Sequence, residues 1–171
     1  LTWRPAASRI TPMQDPDTRF MQAALREAER ALEVGEVPVG CVIVHEGQII
    51  GKAHNQRETL QDPTAHAEIL AITQAAAHFK SWRLENTKLY VTLEPCPMCA
   101  GAIILARVAE VYFGAHDPKA GACGTLMNLL DDARFNHRPK VVPGVLAEAC
   151  GAMLSDFFKR VREGNVTRPG R

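Results

Sequence analysis

In the stretch DTRFMQAALREAERALEV the apolar positions are Phe20, Met21, Ala24, Leu25, Ala28, Ala31 and Leu32, and the charges lie between them. That spacing predicts an amphipathic helix. Asp17 can cap its start and Gly35 suits its end. VPVGCVIVH then reads as a buried strand, EGQ as a hairpin turn and IIGKAHN as the returning strand. The polar, proline-bounded QRETLQDP predicts a loop. TAHAEILAITQAAAHF predicts a helix opening at Thr64, TKLYVTLE a strand, and PMCAGAIILAR a helix opened by the Pro97 region. VAEVYFGAH is a further strand, DPKAGACG a loop, and TLMNLLDDARF a short helix. KVVPGVL is a weak strand that Pro143 demotes toward an edge. AEACGAMLSDFFKRVRE closes the series as an amphipathic helix. A hairpin followed by strand–helix alternation implies a mixed sheet of about five strands between helices, a three-layer α/β/α domain.

The length of 171 residues suits one domain. We expect that domain over residues 17–163, a mobile extension over 1–16 and a basic flexible tail over 164–171. The formal net charge is +1, so composition makes no case for nucleic acid; any RNA contact needs a local patch. Lys159, Arg160, Arg162, Arg168 and Arg171 against Glu163 form one. No apolar run approaches the roughly 20 residues of a membrane span, and the arginine-bearing N-terminus has no secretory apolar core. Five cysteines with one tight pair fit a reduced, intracellular protein rather than a disulfide scaffold. Cys41 and Cys150 read as small core residues.

Chemistry concentrates in HAE and PCPMC. Cys96 and Cys99 are spaced i, i+3, so on a first helical turn both thiolates face one side and can share a tetrahedral zinc. His66 also opens a predicted helix. Two helix starts can meet at the C-terminal edge of a sheet, where α/β folds place ligands. On a regular helix residues i and i+2 point nearly opposite ways. Glu68 therefore reaches a water on the metal only if His66 is a cap or first-turn residue. Three protein ligands leave a fourth position open, as in catalytic zinc sites. With Pro95 lying 27 residues after Glu68, the joint pattern is H-x-E…P-C-x-x-C, the zinc deaminase signature. It predicts attack by a zinc-activated water on the amidine carbon of a nucleobase, with Glu68 carrying the protons. The competing reading is a closed structural zinc module that binds RNA, with Cys123 as fourth ligand; Glu68 argues against it.

The chain also resembles bacterial tRNA-specific adenosine deaminases of the TadA type. The resemblance lies in EVPVGCVIV, HNQ, DPTAHAEILAI, LYVTLEPCPMCAGAI, VYFGAHDPKAGACGTLMNLL, NHRPKVVPGVLAEAC and LSDFFKRVR, from about Asp17 to Glu163. It implies a cytidine deaminase-like fold, conversion of adenosine to inosine at the wobble position of a tRNA anticodon stem-loop, one zinc per subunit and a homodimer; with the reduced cysteines and no membrane-length run, we expect a cytoplasmic protein with no membrane partner. By the resemblance His66, Cys96 and Cys99 are the zinc ligands and Glu68 the proton shuttle. Asn55 recognises the base beside Val37, Ala67 and Leu93, and Asp117, Lys119, Phe157 and Phe158 grip the anticodon loop. Helical spacing of Met153, Leu154 and Phe157 makes one of the two phenylalanines a core residue and the other more exposed. His116 stands where an arginine is common in the family. EPCPMC is also similar to guanine deaminases, which makes a free nucleobase the alternative substrate.

Overall fold

The computed structural model describes residues 15–170. In chain order it forms α1 (Pro16–Glu33), β1 (Gly40–His45), β2 (Gln48–His54), α2 (Arg57–Leu60), α3 (Ala67–Phe79), β3 (Thr87–Leu93), α4 (Pro97–Ala106), β4 (Glu110–Ala115), β5 (Lys140–Val142) and α5 (Ala147–Arg162). The strands make one five-stranded sheet in the order β2-β1-β3-β4-β5. β1 runs antiparallel to β2 and β3, while β3, β4 and β5 are parallel.

Strand alternation builds the three layers. Cys41, Ile43, Leu89, Val91, Val111 and Phe113 point to one face, where α3 and α4 contribute Ala71, Ala75, Ala100 and Ile103. Val42, Val44, Tyr90 and Tyr112 point to the other, against Phe20, Met21 and Ala24 of α1 and Cys150 of α5. Both faces of the central strands are therefore buried, which explains their continuous apolar runs. Two glycines permit close helix packing. A Cβ on Gly40 would meet Ala24 O at 2.0 Å, and one on Gly51 would meet Ala71 O at 2.5 Å. The β1–β2 turn is two residues, Glu46 and Gly47, with φ of 47° and 75°, the left-handed pair that matches strand twist.

The register gathers four segments at one edge of the sheet. Gly40 pairs with His54, Cys41 with Val91, and Leu93 with Ala115. The chain before β1 and the chain after β2, β3 and β4 thus leave the sheet side by side.

Several expectations are corrected. Asp15, not Asp17, caps α1, accepting from Thr18 N at 3.1 Å with Pro16 at the first helical position. Asp17 instead accepts the Tyr90 hydroxyl at 2.6 Å. Of the expected extension 1–16, residues 15 and 16 belong to this helix start, and 1–14 lie outside the described residues. QRETLQDP holds the short helix α2. TLMNLLDDARF is not a helix but a chain of turns. Leu126 N and Leu129 N donate to Gly121 O and Ala122 O, and Thr125 N to the Glu94 carboxylate, so no helical ladder can close. α3 opens at Ala67 rather than Thr64, because Asp62 Oδ1 captures Thr64 N and its hydroxyl at 2.8 and 2.7 Å in a local turn. Within the expected tail 164–171, Arg168 Nη2 meets Glu58 Oε1 at 2.7 Å with both side chains largely buried, and Thr167 O lies against Gly35, while residue 171 lies outside the described residues.

Candidate active site and metal centre

Two helix N-termini supply the centre. His66 is the N-cap of α3 and Cys96 the N-cap of α4, both with extended backbone, φ −75° in each case, and neither caps its helix with its side chain. Because His66 sits outside the helical spiral, its ring and the Glu68 carboxylate can face one cavity despite the i, i+2 spacing. Pro97 fixes the first position of α4 and Cys99 follows on the same turn.

His66 Nδ1 lies 3.6 Å from Cys96 Sγ and 3.6 Å from Cys99 Sγ. All three donor atoms fall within 4.8 Å of one another. Ligands at Zn–S ~2.3 Å and Zn–N ~2.0 Å on a tetrahedral zinc stand about 3.6 Å apart, so the donor set fits that ion. Cys123 does not join the group among the described residues. Its thiol is buried against Pro95 O at 3.9 Å, which removes the fourth ligand that a closed structural site requires. Hydrogen bonding from Cys99, and then from His66, holds the Cys96 thiol down at about 4, while Cys99, as the donor, is pushed up. Burial raises the Glu68 carboxyl to about 7, against the pull of its backbone N–H and of His66. A carboxyl poised near neutrality can both take and give a proton.

The cavity of about 220 Å³ is lined by Val37, Asn55, His66, Ala67, Glu68, Leu93 and Asp117, among others. It is smaller than the ~300–1,000 Å³ of drug-sized sites and suits a single ring system. Asn55 is buried, and its Nδ2 donates to Glu36 Oε2 at 3.1 Å. A wider groove of about 680 Å³ adjoins it. The groove shares Val37, Arg57, Leu93 and Asp117 with the cavity and adds Lys119, Phe158, Arg162 and Arg168.

A family model for MafB19-like deaminases matches residues 15–162. A tRNA-specific adenosine deaminase of Bacillus subtilis (strain 168) is 58% identical over 147 residues, covering 86% of this chain and 91% of that protein. The chain belongs to the tRNA-specific adenosine deaminase family. A solved structure from a study of A-to-I editing by tRNA:A34 deaminases at the wobble position is 42% identical, with TM-score 0.77 over 80% of this chain and 99% of that one. A guanine deaminase from Nitrosomonas europaea, 23% identical with TM-score 0.71 over 82% and 83% of the two chains, shares the fold.

In this deaminase the structure brings together Val37, Asn55, His66, Ala67, Glu68, Leu93, Cys96, Cys99 and Asp117 around one centre. Lys119 and Phe158 lie along the groove. Phe157 is turned away: it is 1% exposed against 43% for Phe158, so only Phe158 faces solvent for a ligand to touch. The basic patch is divided. Arg162 and Arg168 face the groove, Arg168 already paired with Glu58, while Arg160 lines a separate depression beside Asn165. Asp117 is engaged by its own loop, accepting from Lys119 N at 2.9 Å and Ala120 N at 3.2 Å.

Sequence reasoning missed three residues. Arg57 lines both cavities from α2. Glu36 and Glu94 are buried acids, at 0% and 2% exposure. Glu94 accepts Asp117 N, Cys123 N and Thr125 N, each at 3.0 Å, and the Thr125 hydroxyl, tying the loop after β4 to the strand end that carries Cys96. Burial works against its charge, but these donors outweigh it and hold the carboxyl below its usual value. The available signal was an acid flush against an apolar strand, in GEVPVG and TLEPC.

Proposed function

We propose that this deaminase hydrolyses the 6-amino group of adenosine at the wobble position of a tRNA anticodon, with one zinc per subunit held by His66, Cys96 and Cys99. The observation that carries the reading is the meeting of that donor set, the buried Glu68 and the amide of Asn55 in one ring-sized cavity beside a cationic groove. A zinc held there supplies the Lewis acidity that lets water react near neutral pH. Glu68 takes the proton of the attacking water, delivers it to a ring nitrogen, and helps the amine leave as ammonia. Asn55 hydrogen-bonds the edge of the base, while Val37, Ala67 and Leu93 hold its faces. A base can enter only if it leaves its stack, which favours an extruded loop nucleotide. Arg57, Lys119 and Arg162 then line the path of the phosphates, and Phe158 offers a ring for a neighbouring base.

The chain is proposed to act as a homodimer in the cytoplasm. α4 is apolar on all sides, and Leu105 on it is 74% exposed, a surface that a second copy would cover. Among the described residues no helix is long and apolar enough to cross a membrane. The test incubates the protein with an anticodon stem-loop bearing a wobble adenosine and, separately, with free guanine. Inosine in the RNA supports the proposal; xanthine from guanine with the RNA untouched overturns it.

A further inference from the structure

Glu36 does no chemistry in the mechanism above, yet it is fully buried and bonded to Asn55, which lines the catalytic cavity. It follows the end of α1, where its backbone N–H donates to Ala31 O at 2.9 Å. Its two carboxylate oxygens reach in different directions. Oε2 accepts from Asn55 Nδ2 at 3.1 Å, and Oε1 accepts from Thr59 N in α2 at 2.6 Å.

The Asn55 backbone is already tied down, because its N–H donates to Val39 O at 3.0 Å. The remaining freedom is rotation of the terminal amide, which exchanges a donor for an acceptor at nearly the same place. A carboxylate beside it settles that choice. Both Glu36 oxygens accept, so the NH₂ of Asn55 must face Glu36, which leaves its Oδ1 unclaimed by Glu36 on a side chain that lines the cavity. We infer that Glu36 is a positioning residue for base recognition, setting the polarity that Asn55 presents to the substrate and anchoring α2, with Arg57, to the same point. The inference rests on the adenosine deaminase reading of this cavity.

Glu36→Gln separates this role from mere support. The Gln carbonyl can still accept from Thr59 N, so α2 stays anchored. Its NH₂ then faces Asn55 and forces the Asn55 amide to turn, offering a donor to the base where an acceptor stood. We expect kcat/KM on a wobble-adenosine stem-loop to fall about 10–100-fold, the size of one buried hydrogen bond lost. Zinc content and melting temperature should stay near those of the parent. The decisive comparison is with Asn55→Ala. Because Glu36 acts through Asn55, adding Glu36→Gln to Asn55→Ala should lower kcat/KM by less than about twofold further. Losses that multiply would overturn the inference and return Glu36 to a structural role. If the parent enzyme makes no inosine, the inference falls together with the reading beneath it; if the parent is active and the losses multiply, the inference alone falls. Should Glu36→Gln not fold, the parent protein decides. One Asn55 side-chain amide proton, assigned by its absence in Asn55→Asp, should exchange slowly with solvent. Fast exchange of both would overturn the inference.

Discussion

Glu94→Gln tests the idea that one buried carboxylate holds the loop beside the catalytic centre. The wild-type side chain accepts three backbone N–H groups and a hydroxyl and is 2% exposed. Glutamine keeps one oxygen. Its better orientation leaves that oxygen on Cys123 N and Thr125 N and sets the NH₂ against Asp117 N and the Thr125 hydroxyl. The hydroxyl can rotate to accept, but Asp117 N–H cannot. One orphaned donor costs about 1–3 kcal/mol, and two remaining bonds lose a charged acceptor. Asp117 is only partly buried, so water relieves some of this; we expect about 2 kcal/mol. At this chain length that lowers the melting temperature by roughly 4–8 °C. Calorimetry on zinc-loaded protein measures the shift, and amide exchange locates it at Asp117, Cys123 and Thr125. A shift below about 1 °C, with those amides still protected, would refute the reasoning.

Other consequences are open to direct test. Arg162→Ala should weaken stem-loop binding and reduce its salt slope by about 1, whereas Arg160→Ala, on the other side of α5, should change neither; the reverse ranking would misplace the groove. Stripping zinc with a chelator should lower the melting temperature by several degrees and restore it on zinc addition, since ligand at ~100 Kd is worth about 2.7 kcal/mol. An unchanged melting curve would deny the His66–Cys96–Cys99 set a metal. Glu110 accepts the Tyr112 hydroxyl at 2.6 Å between Lys88 and Lys140. That hydrogen bond first, and the two lysines next, hold its carboxyl below the usual value against the opposing effect of burial. A depressed carboxyl stabilises the fold above its ordinary range and ceases to as pH falls through the folded value. The stability gap between wild type and Glu110→Gln should therefore narrow between pH 7 and strongly acidic pH; a constant gap would contradict this.

The features legible in the sequence were those whose cause is local. The EG turn, the continuous apolar runs of the central strands and the i, i+3 cysteines each declare themselves within a few residues. The HAE triplet was legible on one condition: Glu68 could join the centre only if His66 capped its helix or sat in the first turn, and His66 is the cap. What escaped depends on partners far along the chain. Glu36 meets Asn55 across 19 residues, Glu94 meets Cys123 across 29, and Arg168 meets Glu58 across 110. The false helix at TLMNLLDDARF has the same origin, since its pattern is helical but Glu94 and the Gly121–Ala122 carbonyls claim its first donors. Phe157 and Phe158 show the limit of a resemblance: it marks the pair, and only packing says which ring is presented.

The central claim is that His66, Cys96 and Cys99 hold a catalytic zinc that Glu68 serves as proton carrier on a tRNA adenosine. The most direct measurement follows inosine formation at the wobble position of an anticodon stem-loop by the zinc-loaded protein and by its Glu68→Ala variant, with metal content determined for both. The account predicts one zinc per chain in each, inosine from the parent, and a loss of at least about 10²–10⁴-fold in the variant. Inosine formed by Glu68→Ala at the parental rate would contradict it.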